Sequence, residues 1–282
     1  MLKTTGSFIK LIFAVWRTAS NRNISLISAG VAFYTIFAIF PGMAATIAIW
    51  GFFADPIVVR DYLELTRKFI PAEVFTILET ELNSLLATTV STLGWTTAIT
   101  LSVSLYSVHN GVAAMVSGLN SAQERAQASG PTGLIKTLVM TLALIGLGLG
   151  ALTTIVAVPI MLNFIPAGPQ KGLLVLYLPW SMVFLVVLLM LGLFYRWGPN
   201  VTGKRPSWIT PGSFLAALFW AAASMAFSAY LANFGSYNRI YGSIGAVIAL
   251  LMWLYISAYI ILLGGVVNAE RDRMLERQKS AA

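Results

Sequence analysis

The sequence predicts an all-α integral membrane protein with six transmembrane helices and both termini inside. An N-terminal amphipathic helix and an outer helical hairpin between spans 1 and 2 complete the expected fold. The chain is 58% hydrophobic and only 10% charged over 282 residues, where soluble proteins carry about 25% charge. Six windows hold no Asp, Glu, Lys or Arg: Ile24–Ala54, Leu82–Gln123, Thr137–Gln170, Gly172–Tyr195, Pro206–Asn238 and Ile240–Ala269. Each is long enough for a span, which takes about 20 mostly apolar residues. With both termini inside, 13 of the 18 basic residues fall on the inner side, as the positive-inside rule requires.

The elements follow in chain order. No short apolar core with a small-residue cleavage site lies near Met1, so a cleavable signal is not expected. Residues 1–23 instead read as an interfacial helix, with Phe8, Leu11, Ile12, Val15 and Trp16 on one face and Lys10 and Arg17 on another. The same period fits a helix packed on the inner end of the bundle. Spans are expected over 27–53, 93–117, 134–161, 173–195, 210–231 and 243–267. Between the first two, residues 55–90 read as an extramembrane helical hairpin broken at Pro71. Phe75, Leu78, Leu82, Leu85 and Leu86 recur there at helical spacing against polar residues. Six of the ten acids lie on this segment. Residues 271–282 are expected to be a cytoplasmic tail of a single membrane domain.

Several residues carry candidate chemistry. His109 and Asn110 lie inside the second span, where a polar side chain normally faces the bundle or a water-filled cavity. They fit a substrate-contacting or proton-handling pair, or a helix–helix hydrogen bond. Pro41 and Gly42 interrupt the first span and fit a hinge, or ordinary tolerance of proline in a membrane helix. Gly146 and Gly150 have the small-xxx-small spacing of close helix packing, and Ala216, Ala217 and Ser224 read similarly. Arg196, Lys204 and Arg205 form a basic inner loop that would attract anionic headgroups, although topology alone accounts for its charge. Tyr237, Arg239 and Tyr241 form an outer hairpin in which Arg239 offers a bidentate grip on phosphate or carboxylate. The tyrosines also suit a simple interfacial anchor. Asn268 and Glu270 mark the inner end of the last span, where Glu270 could pair with Arg196 or Arg205, a structural pair being favoured over a proton relay.

The motif order resembles the YihY/BrkB family of bacterial inner-membrane proteins. The residues are Ala32-Phe33-Tyr34-Thr35 through Phe40-Pro41, Tyr195-Arg196-Trp197-Gly198-Pro199, Pro211-Gly212, Tyr241-Gly242-Ser243, Trp253-Leu254-Tyr255 and Gly264-Gly265 through Asn268-Ala269-Glu270. The resemblance runs from about residue 24 to 270. It implies a six-helix protein of the bacterial inner (plasma) membrane. Some members are linked to serum resistance or to export of lipid-A-type molecules, and the family carries an old ribonuclease label. One departure is that Leu119-Asn120 is followed by Ser121, where the family tends to have an aromatic residue.

The residues favour a non-enzyme. Phosphodiester hydrolysis needs clustered carboxylates or histidines around metal. This chain has one histidine, no cysteine, and most of its acids on the outer side. No nucleophile elbow or HExxH supports an intramembrane lipid enzyme. No metal or cofactor is expected, and no nucleic-acid partner, since no concentrated basic patch is present. The expected partners are membrane lipids and an anionic lipid-like substrate, and a homo-oligomer is compatible with the sequence. The expected function is transport or handling of that substrate. The alternative is a scaffolding membrane protein with the 55–90 hairpin as its docking surface.

Overall fold

A computed structural model describes residues 2–53, 64, 79–80, 83, 93–127, 130–163, 169–201, 203, 205–232 and 243–280. All regular structure among them is helical: α1 (Leu2–Asn21), α2 (Ile24–Phe53), α3 (Leu93–Ala122), α4 (Gly130–Asn163), α5 (Pro169–Trp197), α6 (Pro211–Ala232) and α7 (Ser243–Ser280). A helix thus occupies each of the six uncharged windows. The expected 55–90 hairpin lies outside the described residues except for Glu64, Glu79, Thr80 and Asn83, each helical. Three stretches among the described residues are long and apolar enough to cross a membrane: Gly130–Gly148, Pro211–Leu231 and Val247–Ser280. Ile24–Ala38 and Ser181–Trp197 are shorter apolar stretches.

Each of α2 to α6 packs on the helix that follows it, and α7 returns to close on α2. Helix α7 also touches α3, and α1 lies against α7 and α2. The core forms where one set of helix ends converges. Ile24, Leu119, Leu191, Tyr195, Leu262 and Val266 are all buried in one cluster. These residues begin α2, end α3 and α5, and fill the second half of α7.

Two left-handed residues shape this end. Asn23 has φ of 51° and separates α1 from α2, while Glu124 has φ of 55° just beyond α3. Asparagine tolerates that region better than most residues.

Helical backbone runs through Pro41 and Gly42, inside the expected span 27–53. Helix α7 runs on to Ser280, so the expected 271–282 tail is helical through residue 280. Arg, Glu, Met and Leu there are good helix formers. One expectation changes: among the described residues, the Gly146 spacing does not mark close packing. A β-carbon built on Gly146 meets no described atom within 4 Å. Close approach occurs instead between α6 and α7. A β-carbon on Gly264 would lie 2.7 Å from the Gly212 carbonyl oxygen and 2.8 Å from Ala216 Cβ. Backbones that near explain why glycine and alanine occupy these positions.

Candidate functional site

The polar residues gather at the end of the bundle that holds the loop from α5 to α6. Helix α5 stops because Gly198 and Pro199 follow Trp197, and proline cannot continue the ladder. The two carbonyls just beyond its end are held from another helix, as Lys136 of α4 donates to the Gly198 and Pro199 oxygens, both at 3.0 Å. A lysine there also meets the negative end of the helix dipole. Asn120 at the end of α3 is buried. Its Oδ1 accepts from the Asn200 amide at 2.7 Å, which ties the loop to α3.

The loop then folds back onto α5. A β-carbon on Gly192 would lie 2.7 Å from the Trp208 carbonyl oxygen, so only glycine lets the loop approach this closely. One turn further along α5, Arg196 donates to the Pro206 carbonyl and stands 5.6 Å from the Trp208 ring. The Arg205 guanidinium lies 3.8 Å over the Trp197 ring. The result is two guanidinium groups set against two exposed indoles. Indoles favour the membrane–water boundary, and a guanidinium stacked on an indole, as Arg205 is on Trp197, presents its hydrogen-bond donors at its edge. Nε of Arg196 is buried with no partner among the described residues.

Helix α6 starts at Thr210 with a reciprocal cap. The Ser213 amide donates to Thr210 Oγ1 at 3.1 Å, and the Thr210 amide donates to Ser213 Oγ at 2.8 Å. Pro211 at the first helical position suits this cap. Asn268 of α7 completes it, with Oδ1 accepting from the Gly212 amide at 2.8 Å and Nδ2 donating to Thr210 Oγ1 at 2.9 Å.

A charged network lies beside it. Thr18 of α1 donates to Glu270 Oε1 at 2.7 Å, and Arg273 pairs with the same oxygen. Arg273 also reaches Glu124 at 3.4 Å, and Arg22 donates to Glu124. Glu270 therefore does not pair with Arg196 or Arg205. Continuation of the helix puts Arg273 one turn away, well inside reach. The Arg22 hydrogen bond, followed by the charge of Arg273, holds the Glu124 carboxyl below the usual glutamate range.

The remaining candidates are dispersed. His109 and Asn110 lie in mid-α3, away from this polar cluster. His109 shares a helical face with Val112 and Val116, which pack with Met140 and Leu144 of α4. His109 Nδ1 is buried and has no hydrogen-bond partner among the described residues. Lys204, Tyr237, Arg239 and Tyr241 lie outside the described residues. Among the described residues, no group of three or more His, Asp or Glu stands together as a metal site.

Sequence reasoning missed Asn120, Glu124, Arg273, Thr210 and the two indoles as partners in this cluster. The Thr210-x-x-Ser213 spacing with Pro211 was a readable cap signal. The other pairings join distant segments and left no local trace.

A family model described as Virulence factor BrkB matches residues 15–282. The chain belongs to the BrkB family. The BrkB match begins in the second half of α1 and takes in every later helix and the whole polar cluster. Among similar proteins is ribonuclease-like protein YfkH of Bacillus subtilis. It is 26% identical over 278 residues, covering 93% of this chain and 94% of that protein. A UPF0761 membrane protein of Tolumonas auensis is 36% identical over 77 residues, 27% of this chain and 25% of that one. Another UPF0761 membrane protein, from Xanthomonas oryzae, is 43% identical over 54 residues, 19% and 13% of the two chains. No solved structure matches the chain. The BrkB assignment and the apolar helices together make this a membrane protein.

Proposed function

We propose that this BrkB-family protein sits in the bacterial inner membrane as a multi-pass bundle and handles an amphipathic, anionic, lipid-like substrate. In this reading six helices cross the membrane, the termini lie inside, and the α5–α6 loop meets the inner headgroup layer. The observation that carries the reading is the pair of guanidinium–indole contacts, Arg205 on Trp197 and Arg196 near Trp208. A phosphate or carboxylate headgroup suits such guanidinium edges, while the acyl chains suit the exposed apolar flanks of the helices.

The reading is of a non-enzyme. The name of YfkH refers to ribonuclease, but this chain has one histidine, and it lies in mid-α3 away from the inner cations. General acid–base cleavage of RNA needs a group within reach of the bond it breaks.

The test is reconstitution in liposomes with a fluorescent anionic phospholipid and its zwitterionic counterpart, with and without a proton gradient. The expected result is protein-dependent transfer of the anionic lipid that weakens in Arg205→Ala. No transfer of either lipid in either condition overturns the reading.

A further inference from the structure

Helix α1 has two apolar stripes, and only one is used by the bundle. Val15 and Ala19 pack into the core, and Thr18 on the same side bonds Glu270 of α7. Facing away are Ile9, Ile12, Phe13 and Trp16, which are 50%, 53%, 70% and 72% exposed. Spacings of three, four and seven residues place these four on one continuous strip of helix surface. The sequence period had merged the two, since Val15 and Trp16 are adjacent in the chain but face different partners.

We propose that this outward strip of α1 lies on the anionic lipid surface of the membrane, with Phe13 and Trp16 inserted among the acyl chains. Lys10 and Arg17, both exposed and seven residues apart, form one flank of the strip and meet the headgroups. Three observations select lipid as the occupant. First, residues 1–54 contain no acid, so nothing on the helix repels an anionic surface. Second, α1 is bonded to α7 at Glu270, directly after the uncharged run Ile240–Ala269 ends. That is the level at which a membrane-spanning α7 reaches the headgroups. Third, an apolar face with aromatic residues and a cationic flank is the pattern of helices that lie in the interface.

The anchoring contacts fix which way the strip faces. Thr18 holds Glu270, Arg22 holds Glu124, and Arg273 touches both acids. Lipid contact along α1 is therefore joined through side chains to the ends of α3 and α7. This inference rests on the membrane assignment and not on lipid transfer.

The chain has no cysteine, so single probes can be placed without removing any. Phe13→Cys, Trp16→Cys and Asn21→Cys, each labelled with an environment-sensitive fluorophore, are compared in nanodiscs of mixed zwitterionic and anionic phospholipid. The native positions are exposed, so none of the three removes a core contact. Probes at 13 and 16 are expected to be quenched by spin-labelled acyl chains and shielded from iodide, with the opposite at 21. Changing Lys10 or Arg17 to Gln should lower the inserted-to-free ratio roughly fivefold per cation, the factor for about 1 kcal/mol per basic residue near an anionic surface. Open access of iodide to positions 13 and 16 overturns the proposal. Shielding from both quenchers, with disulfide-linked dimers from unlabelled Phe13→Cys, also overturns it and assigns the strip to a second copy of the chain.

Discussion

Asn268 of α7 holds the first turn of α6, accepting from the Gly212 amide at 2.8 Å and donating to Thr210 Oγ1 at 2.9 Å. The Gly212 amide is one of the orphan donors that every helix start must satisfy. A side chain 56 residues away supplies its acceptor. Asn268→Ala should leave a buried donor unpaired and cost about 1–3 kcal/mol, read as a lower midpoint of thermal unfolding in detergent. Asn268→Asp keeps an acceptor and adds negative charge at a helix N-terminus, which is favourable, so its loss should be smaller. Equal loss in the two variants would argue against a capping role.

The same region sets a second prediction. Tyr195 donates to the Ile261 carbonyl at 2.6 Å, inside the buried core. Tyr195→Phe should cost about 0.5–1.5 kcal/mol, the worth of one hydrogen bond. Gly264→Ala should cost more, about 1–3 kcal/mol by overpacking, because its β-carbon would run into Tyr195 Oη and lie 2.7 Å from the Gly212 carbonyl oxygen of α6. Gly146→Ala meets open space and should be neutral or slightly stabilising, since alanine is the better helix former. Thermal unfolding of the three variants gives the ranking directly. Gly146→Ala as the worst of them would restore the small-residue reading of α4.

The Glu124 carboxyl sets a pH dependence. Its folded-state affinity for protons is lowered by Arg22 and then Arg273, so the unfolded chain binds the proton more readily. The contribution to stability is therefore present above the usual glutamate range and is lost as pH falls through the folded value. Glu124 is exposed, so the effect is small, within the about 0.2–1 kcal/mol of surface pairs. Glu124→Gln should reduce the acid-side loss of stability, and 1 M salt should shrink the difference between variant and parent. An unchanged acid limb in Glu124→Gln would remove Glu124 from this role.

The helices were legible because uncharged windows of span length are a statement about chemistry, and a helix stands in each one. Their ends were less so. The last span was expected to stop at 267 because charge begins at Glu270, but charge does not end a helix, and α7 continues to Ser280. The helical continuation brings Glu270 and Arg273 together, a pair that a span boundary does not reveal. Asn268 was visible as a polar residue at a span end, but its partners Thr210 and Gly212 depend on how α6 docks. The Gly146 spacing was readable, but no described helix packs on it, because a small-residue motif says that helices can approach and not that one does.

Arg205 gives the sharpest test of the headgroup reading, because charge and shape can be separated there. Its guanidinium lies 3.8 Å over the Trp197 ring, and both side chains are exposed. Lysine keeps the charge but loses the planar stack and the forked donors. If only net positive charge matters, Arg205→Lys should bind anionic vesicles as the parent does. If the stacked guanidinium recognises a headgroup, Arg205→Lys should fall part of the way toward Arg205→Ala. Trp197→Leu should fall too, although it changes no charge. A cation–π contact at an exposed site is worth about 0.5–1 kcal/mol, so the stacking loss should be roughly two- to fivefold in anionic-lipid transfer. Full activity in Trp197→Leu would reduce the loop to a topology signal and leave the substrate site elsewhere.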